Sequence, residues 1–143
     1  MAFSTSFSKS LLLIIFVEDK VARGDFSFVP TIVISEQLDI PRASLSKIIS
    51  ALISKRIFEA KEGKNGGVRT TPEVKVITLY DVFVAVEEGK PLFSRVSSIN
   101  AKGRRPDQVR EGIQNMLDLA ESTLHQFLRQ HSLADFMQAI TKE

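Results

Sequence analysis

Ile34-Ser35-Glu36-Gln37-Leu38-Asp39-Ile40-Pro41-Arg42-Ala43-Ser44-Leu45-Ser46-Lys47-Ile48-Ile49-Ser50-Ala51-Leu52-Ile53 opens the stretch that decides the fold, and Gly63-Lys64-Asn65-Gly66-Gly67-Val68-Arg69-Thr70-Thr71 closes it. Leu45, Ile48, Ile49, Leu52 and Ile53 recur at the spacing of one helix face, which predicts a helix over 42–55 with a complete aliphatic stripe turned inward. Ala43, Ser44, Lys47, Ser50, Ala51 and Ser54 fall on its other side. Asp39-Ile40-Pro41 forms a turn before it, with Pro41 expected at the first helical position, where a missing N–H loses nothing. A shorter helix from Pro30 or Thr31 to about Leu38 precedes that turn.

Beyond the helix, Ile57 to Lys61 and Val68 to Thr71 can pair as a hairpin. Asn65-Gly66 is expected to supply the positive φ angles of its tip. Pro72 then stops the second strand, because it has no N–H to donate. Two helices joined by a tight turn and followed by a hairpin make a winged helix-turn-helix. In that device one helix braces a second, which enters a major groove.

Charge supports the same reading. The formal net charge is only +2. Yet Arg42, Lys47, Lys55, Arg56, Lys61, Lys64, Arg69 and Lys75 face only Glu59, Glu62 and Glu73 between positions 42 and 75. A local basic face on a near-neutral chain is what phosphate contact requires, although a merely solvated surface can cluster in the same way. The candidate DNA-binding residues are Arg42, Ser44, Ser46, Lys47 and Ser50 on the helix, with Lys64, Asn65, Gly66, Gly67 and Arg69 on the wing. Small serines let the helix backbone approach closely. Arg42 and Lys47 can reach guanine edges or phosphates. A wing tip can lie over a phosphate or enter the minor groove.

Before the decisive stretch, residues 5–22 read as a long helix with Ser4 or Thr5 as cap. Its apolar run, Leu11 to Val17, follows Lys9 as in a signal peptide. However, Glu18, Asp19 and Lys20 follow at once and no small-residue cleavage site appears. The run is also far short of the ~20 residues that span a bilayer. A helix buried on most sides is the expectation. Gly24 and Asp25 end it, and Phe26, Phe28 and Val29 suggest a short extended piece.

After the wing, Thr78 with Asp81 resembles a capping box for a helix ending at Gly89. A basic connection, 90–106, carries Lys90, Arg95, Lys102, Arg104 and Arg105. It can bind an anionic effector, flank DNA phosphates or simply be solvated. A long amphipathic helix, about 107–131, carries Val109, Ile113, Met116, Leu117, Ala120, Leu124, Phe127 and Leu128. Ser132 can cap a last short helix with Leu133, Phe136, Met137 and Ile140.

Several functions are disfavoured. With no cysteine there is no disulfide and no thiolate chemistry. The same fact is compatible with a cytoplasmic address. His125 and His131 lie six apart, not four, and do not form a helical metal pair; both are expected at the surface or at a cap. Glu87 and Glu88 are adjacent and point to different sides of a helix. No nucleophile–base set and no nucleotide-binding glycine loop appears, so an enzyme is not expected and no cofactor is implied.

The quoted residues resemble a known family, the Rrf-type bacterial winged-helix regulators, which include IscR-like and NsrR-like repressors. The resemblance covers most of the chain. It rests on Phe3-Ser4-Thr5, the 34–40 segment, Leu45 with Ile48-Ile49, the wing from Gly63 to Arg69, and Ile77-Thr78-Leu79-Tyr80-Asp81-Val82. The glycine-rich wing followed by Ile-Thr-Leu-x-Asp-Val is its most specific part. Pro91-Leu92-Phe93 and the C-terminal helices are most similar to a cysteine-free, YwnA-like branch.

The resemblance implies a homodimer, paired through the long helix together with the first. The interface would hold Ile113, Met116, Leu117, Ala120, Leu124, Phe127 and Leu128. Packing of the same residues within one chain is the alternative. Many members hold an iron–sulfur cluster through cysteines in the loop matching 93–110; this chain has none there. At the N-terminus, Ser8-Lys9 stands where the family often has Arg-Tyr, so no phosphate contact is carried over.

The expected fold is mainly α with a small β-hairpin wing: a winged helix-turn-helix over 1–89, a connecting loop over 90–106, and a dimerisation helix with a C-terminal helix over 107–143. The expected function is sequence-specific regulation of transcription, as a repressor. The chain would act as a homodimer on double-stranded DNA at a near-palindromic operator, without a cluster or metal and without membrane contact. An unidentified small-molecule or protein effector is a further possible partner. The competing reading is a winged helix that contacts protein or RNA in place of duplex DNA, whose mark would be an acidic or apolar outer face on 42–55.

Overall fold

A computed structural model describes residues 5–95 and 100–141. Six helices and one hairpin follow in the order α1 (Ser6–Ala22), α2 (Thr31–Leu38), α3 (Arg42–Ser54), β1 (Phe58–Lys61), β2 (Gly67–Thr70), α4 (Leu79–Glu87), α5 (Arg104–Arg129) and α6 (Leu133–Thr141). A 3-10 turn at Pro72–Lys75 leads from the wing to α4. The architecture is the winged helix-turn-helix with a long helix behind it. Among the described residues no helix is long and apolar enough to cross a membrane.

The core lies where α1, α3, α4 and the wing meet. Leu13, Ile14 and Val17 from α1 join Leu45, Ile48, Ile49 and Leu52 from α3, with Phe58, Val68 and Val82. Each such aliphatic side chain stabilises the fold by roughly 1.5–3 kcal/mol when withdrawn from water. The apolar run of α1 is therefore folded into the core, although Leu12 stays 49% exposed on the far side. The stripe of α3 is one residue shorter than expected, because Ile53 is 37% exposed. A helix turns 100° per residue, which puts Ile53 at the edge of the arc centred on Leu45, Ile48 and Leu52.

Local chemistry explains the junctions. Asp39 adopts φ +52° at the end of α2, and its N–H and that of Ile40 both turn back to the Ser35 carbonyl. The Ser35 hydroxyl donates to the Ile40 carbonyl at 2.8 Å, closing the turn. Pro41 precedes the first helical residue instead of occupying it, and its carbonyl accepts the Leu45 N–H at 2.9 Å. Thr78 and Asp81 form the expected reciprocal box: the Thr78 N–H donates to Asp81 at 2.9 Å and the Asp81 N–H to Thr78 Oγ1 at 3.2 Å. Ser132 Oγ accepts from the Asp135 N–H at 3.0 Å, as expected for α6. Thr5 precedes α1 but its side chain caps nothing, because its own backbone is already helical. Ser4, the other expected cap, lies outside the described residues.

Boundaries on either side of the connecting loop differ from expectation. Helix α4 stops at Glu87, and Glu88 itself turns left-handed at φ +55° before Gly89 does. Helix α5 begins at Arg104, three residues early, so Arg104 and Arg105 belong to its first turn and not to the basic loop. Pro106 is compatible with that start, since the first N–H groups of a helix have no internal partner.

A candidate nucleic-acid interface

Helix α3 stands on its aliphatic face and exposes the opposite one. Arg42, Ser46, Lys47 and Ser50 are exposed, whereas Ser44 and Ala51 are half-buried on one flank. The structure therefore brings four of the five helix candidates to the solvent face and turns Ser44 partly inward. The exposed face is polar and basic, with neither the acid nor the continuous apolar surface of a protein-contact helix.

The wing is held to the body by a third extended segment. Val29 makes an antiparallel bridge to Val68, donating at 2.8 Å and accepting at 3.0 Å. The β1–β2 register pairs Phe58 with Thr70, Glu59 with Arg69, Ala60 with Val68 and Lys61 with Gly67. Between them the tip turns at Gly63–Gly66, closed by the Gly66 N–H on the Gly63 carbonyl at 3.0 Å. Positive φ occurs at Gly63 (+86°), Asn65 (+64°) and Gly67 (+150°), and Gly66 is not among them. The expected Asn65-Gly66 pair of left-handed residues is thus half right.

Both glycines are needed for close packing instead. A Cβ on Gly66 would stand 2.3 Å from the Lys61 carbonyl oxygen, and one on Gly67 would stand 2.1 Å from that of Val29. Lys64 and Asn65 remain exposed at the tip. Arg69 is half-exposed but already engaged within the chain. Its Nε pairs with Glu59 across the hairpin, and its guanidinium carbon lies 4.3 Å from the centroid of Phe28. Phe28, expected only as part of a short extended piece, is thereby the plate on which the wing arginine rests.

Two clefts unite these parts on one surface. The first, of about 300 Å³, is lined by Thr31, Ile32, Arg42, Leu45, Ser46, Ile49 and Ser50. The second, of about 370 Å³, shares Thr31, Ile32 and Ile49 with it and runs on past Ile53 to Lys61, Gly63 and Gly66 of the wing. The start of α2, the flank of α3 and the wing base therefore line two adjoining clefts that share Thr31, Ile32 and Ile49. Thr31 lines both clefts, although the sequence does not single it out. Its only signal was its place just after Pro30, at the free N–H groups of a helix start.

The interface candidates on α5 divide into two groups. Leu128 is 6% exposed within its own chain, and Leu117 and Leu124 are half-buried. Ile113 (39%), Met116 (62%) and Phe127 (55%) are exposed, as is Ala120. Val109 and Leu119, which the sequence reading did not place in the interface, are also exposed. At 100° per residue, Val109, Ile113, Met116, Ala120 and Phe127 form one apolar line, and Leu128 lies about a quarter-turn away on the line that meets the core.

His125 also differs from expectation. It is half-buried, 5.1 Å from the Tyr80 ring and 5.9 Å from that of Phe83, and 4.0 Å from Glu121. Glu121 in turn accepts the Leu92 N–H at 2.8 Å, tying the connecting loop to α5. His131 is exposed, and its carbonyl accepts the Leu79 N–H at 3.0 Å.

A family described as Rrf2, iron-dependent transcriptional regulator, matches residues 5–139. A curated relative, YffB of Lactococcus lactis, is named as an HTH-type transcriptional regulator. It is 31% identical over 106 residues, covering 73% of this chain and 68% of its own. Among solved structures, a transcriptional regulator from Lactobacillus plantarum superposes with a TM-score of 0.79 at 17% identity, covering 97% of this chain and 91% of that one. IscR of T. potens gives 0.61 at 16% identity, with coverage of 98% and 88%. CymR of B. subtilis gives 0.57 at 19% identity, with coverage of 97% and 98%. These likenesses show the same fold.

Iron does not fit the donors of this chain in the way a thiolate-held cluster would require. The sequence has no cysteine, and among the described residues no three His, Asp or Glu side chains gather at a metal-binding spacing. With the winged helix-turn-helix in place, the family match over nearly its whole length and a relative above 30% identity, the chain belongs to the Rrf2 family of transcriptional regulators and is not an enzyme.

Proposed function

We propose that the chain is a cytoplasmic, sequence-specific DNA-binding repressor that acts as a homodimer on a near-palindromic operator and uses no iron–sulfur cluster. The observation that carries this reading is the pair of adjoining clefts. It places Arg42, Ser46 and Ser50 of α3 beside the start of α2 and, through the adjoining cleft, the base of the wing, on the side of α3 that a duplex would meet. Arg42, Ser46, Lys47 and Ser50 would read base edges. Lys64 and Asn65 would meet phosphates or the minor groove, with Arg69 holding the wing in place. The repressor assignment is supported by the family resemblance.

The exposed apolar line of α5 supports the dimer. Val109, Ile113, Met116, Ala120 and Phe127 are exposed apolar side chains in one line along α5, and a contiguous exposed apolar patch marks an interaction surface. A pair would set two recognition helices about 34 Å apart, one turn of duplex. The division into a DNA-binding part (1–89), a connection and a dimerisation part follows from the same reading, with the last boundary moved from 107 to Arg104, where α5 begins. An effector acting through the loop and α5 would shift the spacing of the two α3 helices.

Selection of bound duplexes from a random library tests the proposal. An enriched palindrome with half-sites one turn apart is the expected result. Binding should weaken steeply with salt, with a slope near −0.9 per phosphate neutralised. Absence of any duplex retention would reject the reading in favour of a protein-contact module.

A further inference from the structure

The groove between α2 and α3 has a chemistry that phosphate contact does not explain. Its floor is Leu45 and Ile49, 2% and 7% exposed. Its wall is Ile32, which is 46% exposed although it is aliphatic and β-branched. Ser46 and Ser50 stand on the rim, where each hydroxyl can donate or accept. Arg42 lines this cleft, and Lys61 lines the adjoining one toward the wing. Neither lining holds a carboxylate.

An acid-free pair of clefts lined by cations suits a polyanion. Its apolar centre suits something the phosphates do not offer. The major groove presents one apolar group, the 5-methyl of thymine; the other edges are donors and acceptors. We propose that this cleft receives the methyl-bearing edge of a thymine, and that Ile32 is the specificity-determining side chain. This rests on the duplex-DNA reading and adds a base preference to it. Ile32 projects from α2, the bracing helix, so recognition would not be confined to α3. The serine rim accepts either polarity from the neighbouring base, which leaves the apolar contact to set the choice at this position. The sources of discrimination on this face are few, because Arg42 and Lys47 are the only long polar side chains on the exposed face of α3.

The test begins with the selected operator. Each thymine is replaced in turn by deoxyuridine, which removes the methyl group and leaves hydrogen bonding intact. Affinity is then measured for the full chain and for Ile32→Ala, with circular dichroism confirming that both are folded. One thymine in each half-site should show a loss of about fourfold on replacement, the value of one buried methyl. In Ile32→Ala the same replacement should have little further effect, and the variant should bind the thymine operator more weakly by a comparable factor. An operator without an invariant thymine, or one that binds equally well with every thymine replaced, would overturn the inference while leaving the regulator reading intact. A deoxyuridine penalty undiminished in Ile32→Ala would assign the methyl contact elsewhere and overturn the role of this cleft. Failure to retain any duplex would overturn both.

Discussion

The backbone at Gly67 lies against the carbonyl of Val29 so closely that a Cβ there would stand 2.1 Å from the oxygen. This approach lets Val29 bridge Val68 and fastens the wing to the segment that starts α2. One glycine therefore sets how the wing sits relative to the bracing helix.

Gly67→Ala should destabilise the protein by about 2 kcal/mol or more, because φ is +150° and the clash is with backbone. Thermal unfolding monitored by circular dichroism measures it. A melting temperature equal to that of the parent would show that the Val29 bridge can open at no cost.

Arg69 and Lys64 should separate by salt dependence. Arg69 is committed to Glu59 and Phe28, so Arg69→Ala should weaken DNA binding while leaving the slope of affinity against salt unchanged. The loss of that half-exposed pair should cost less than about 1 kcal/mol of stability. Lys64→Ala, at the exposed tip, should reduce the slope by about 1. A shallower slope for Arg69→Ala would make it a phosphate contact after all.

On α3, Lys47→Ala should change the order of preference among operator variants by ~1–3 kcal/mol at one base position. Ser44→Ala should change preference less, because Ser44 is half-buried on the flank. Competition binding with a panel of single-base substitutions distinguishes the two. An Lys47→Ala protein with unaltered preference would remove it from the readers.

For the dimer, Met116→Glu should yield folded monomers, since Met116 is 62% exposed in the single chain. Leu128→Ala should instead lower stability by ~2–5 kcal/mol, through a cavity in the chain's own core. Sedimentation and thermal unfolding, run on both variants, read the two effects. A Met116→Glu protein that remains dimeric would place the interface off this line.

Legibility in the sequence followed the range of the interactions. The stripe of α3, the Thr78–Asp81 box and the Ser132 cap depend on residues three or four apart, and the spacing alone located them. The inner and outer residues of α5 were not separable in that way. Leu128 and Phe127 are neighbours, both apolar and both compatible with one broad face; only the way α5 packs onto the common core buries the first and leaves the second exposed. The same holds for His125, which joins Tyr80 across 45 positions of sequence.

What the sequence determined by itself was the set of elements and the chemical character of each face, because helical period, turn residues and local charge are written in short windows. It also determined that no thiolate cluster can form, since no cysteine exists to hold one. Tertiary structure alone decided which glycines answer to packing, where Arg69 is spent, and that Ile32 from α2 shares a cleft with Ser46 and Ser50 of α3. Those outcomes rest on contacts between segments far apart in the chain. Their geometry is set by how the helices and the wing close on a common core, not by any local pattern.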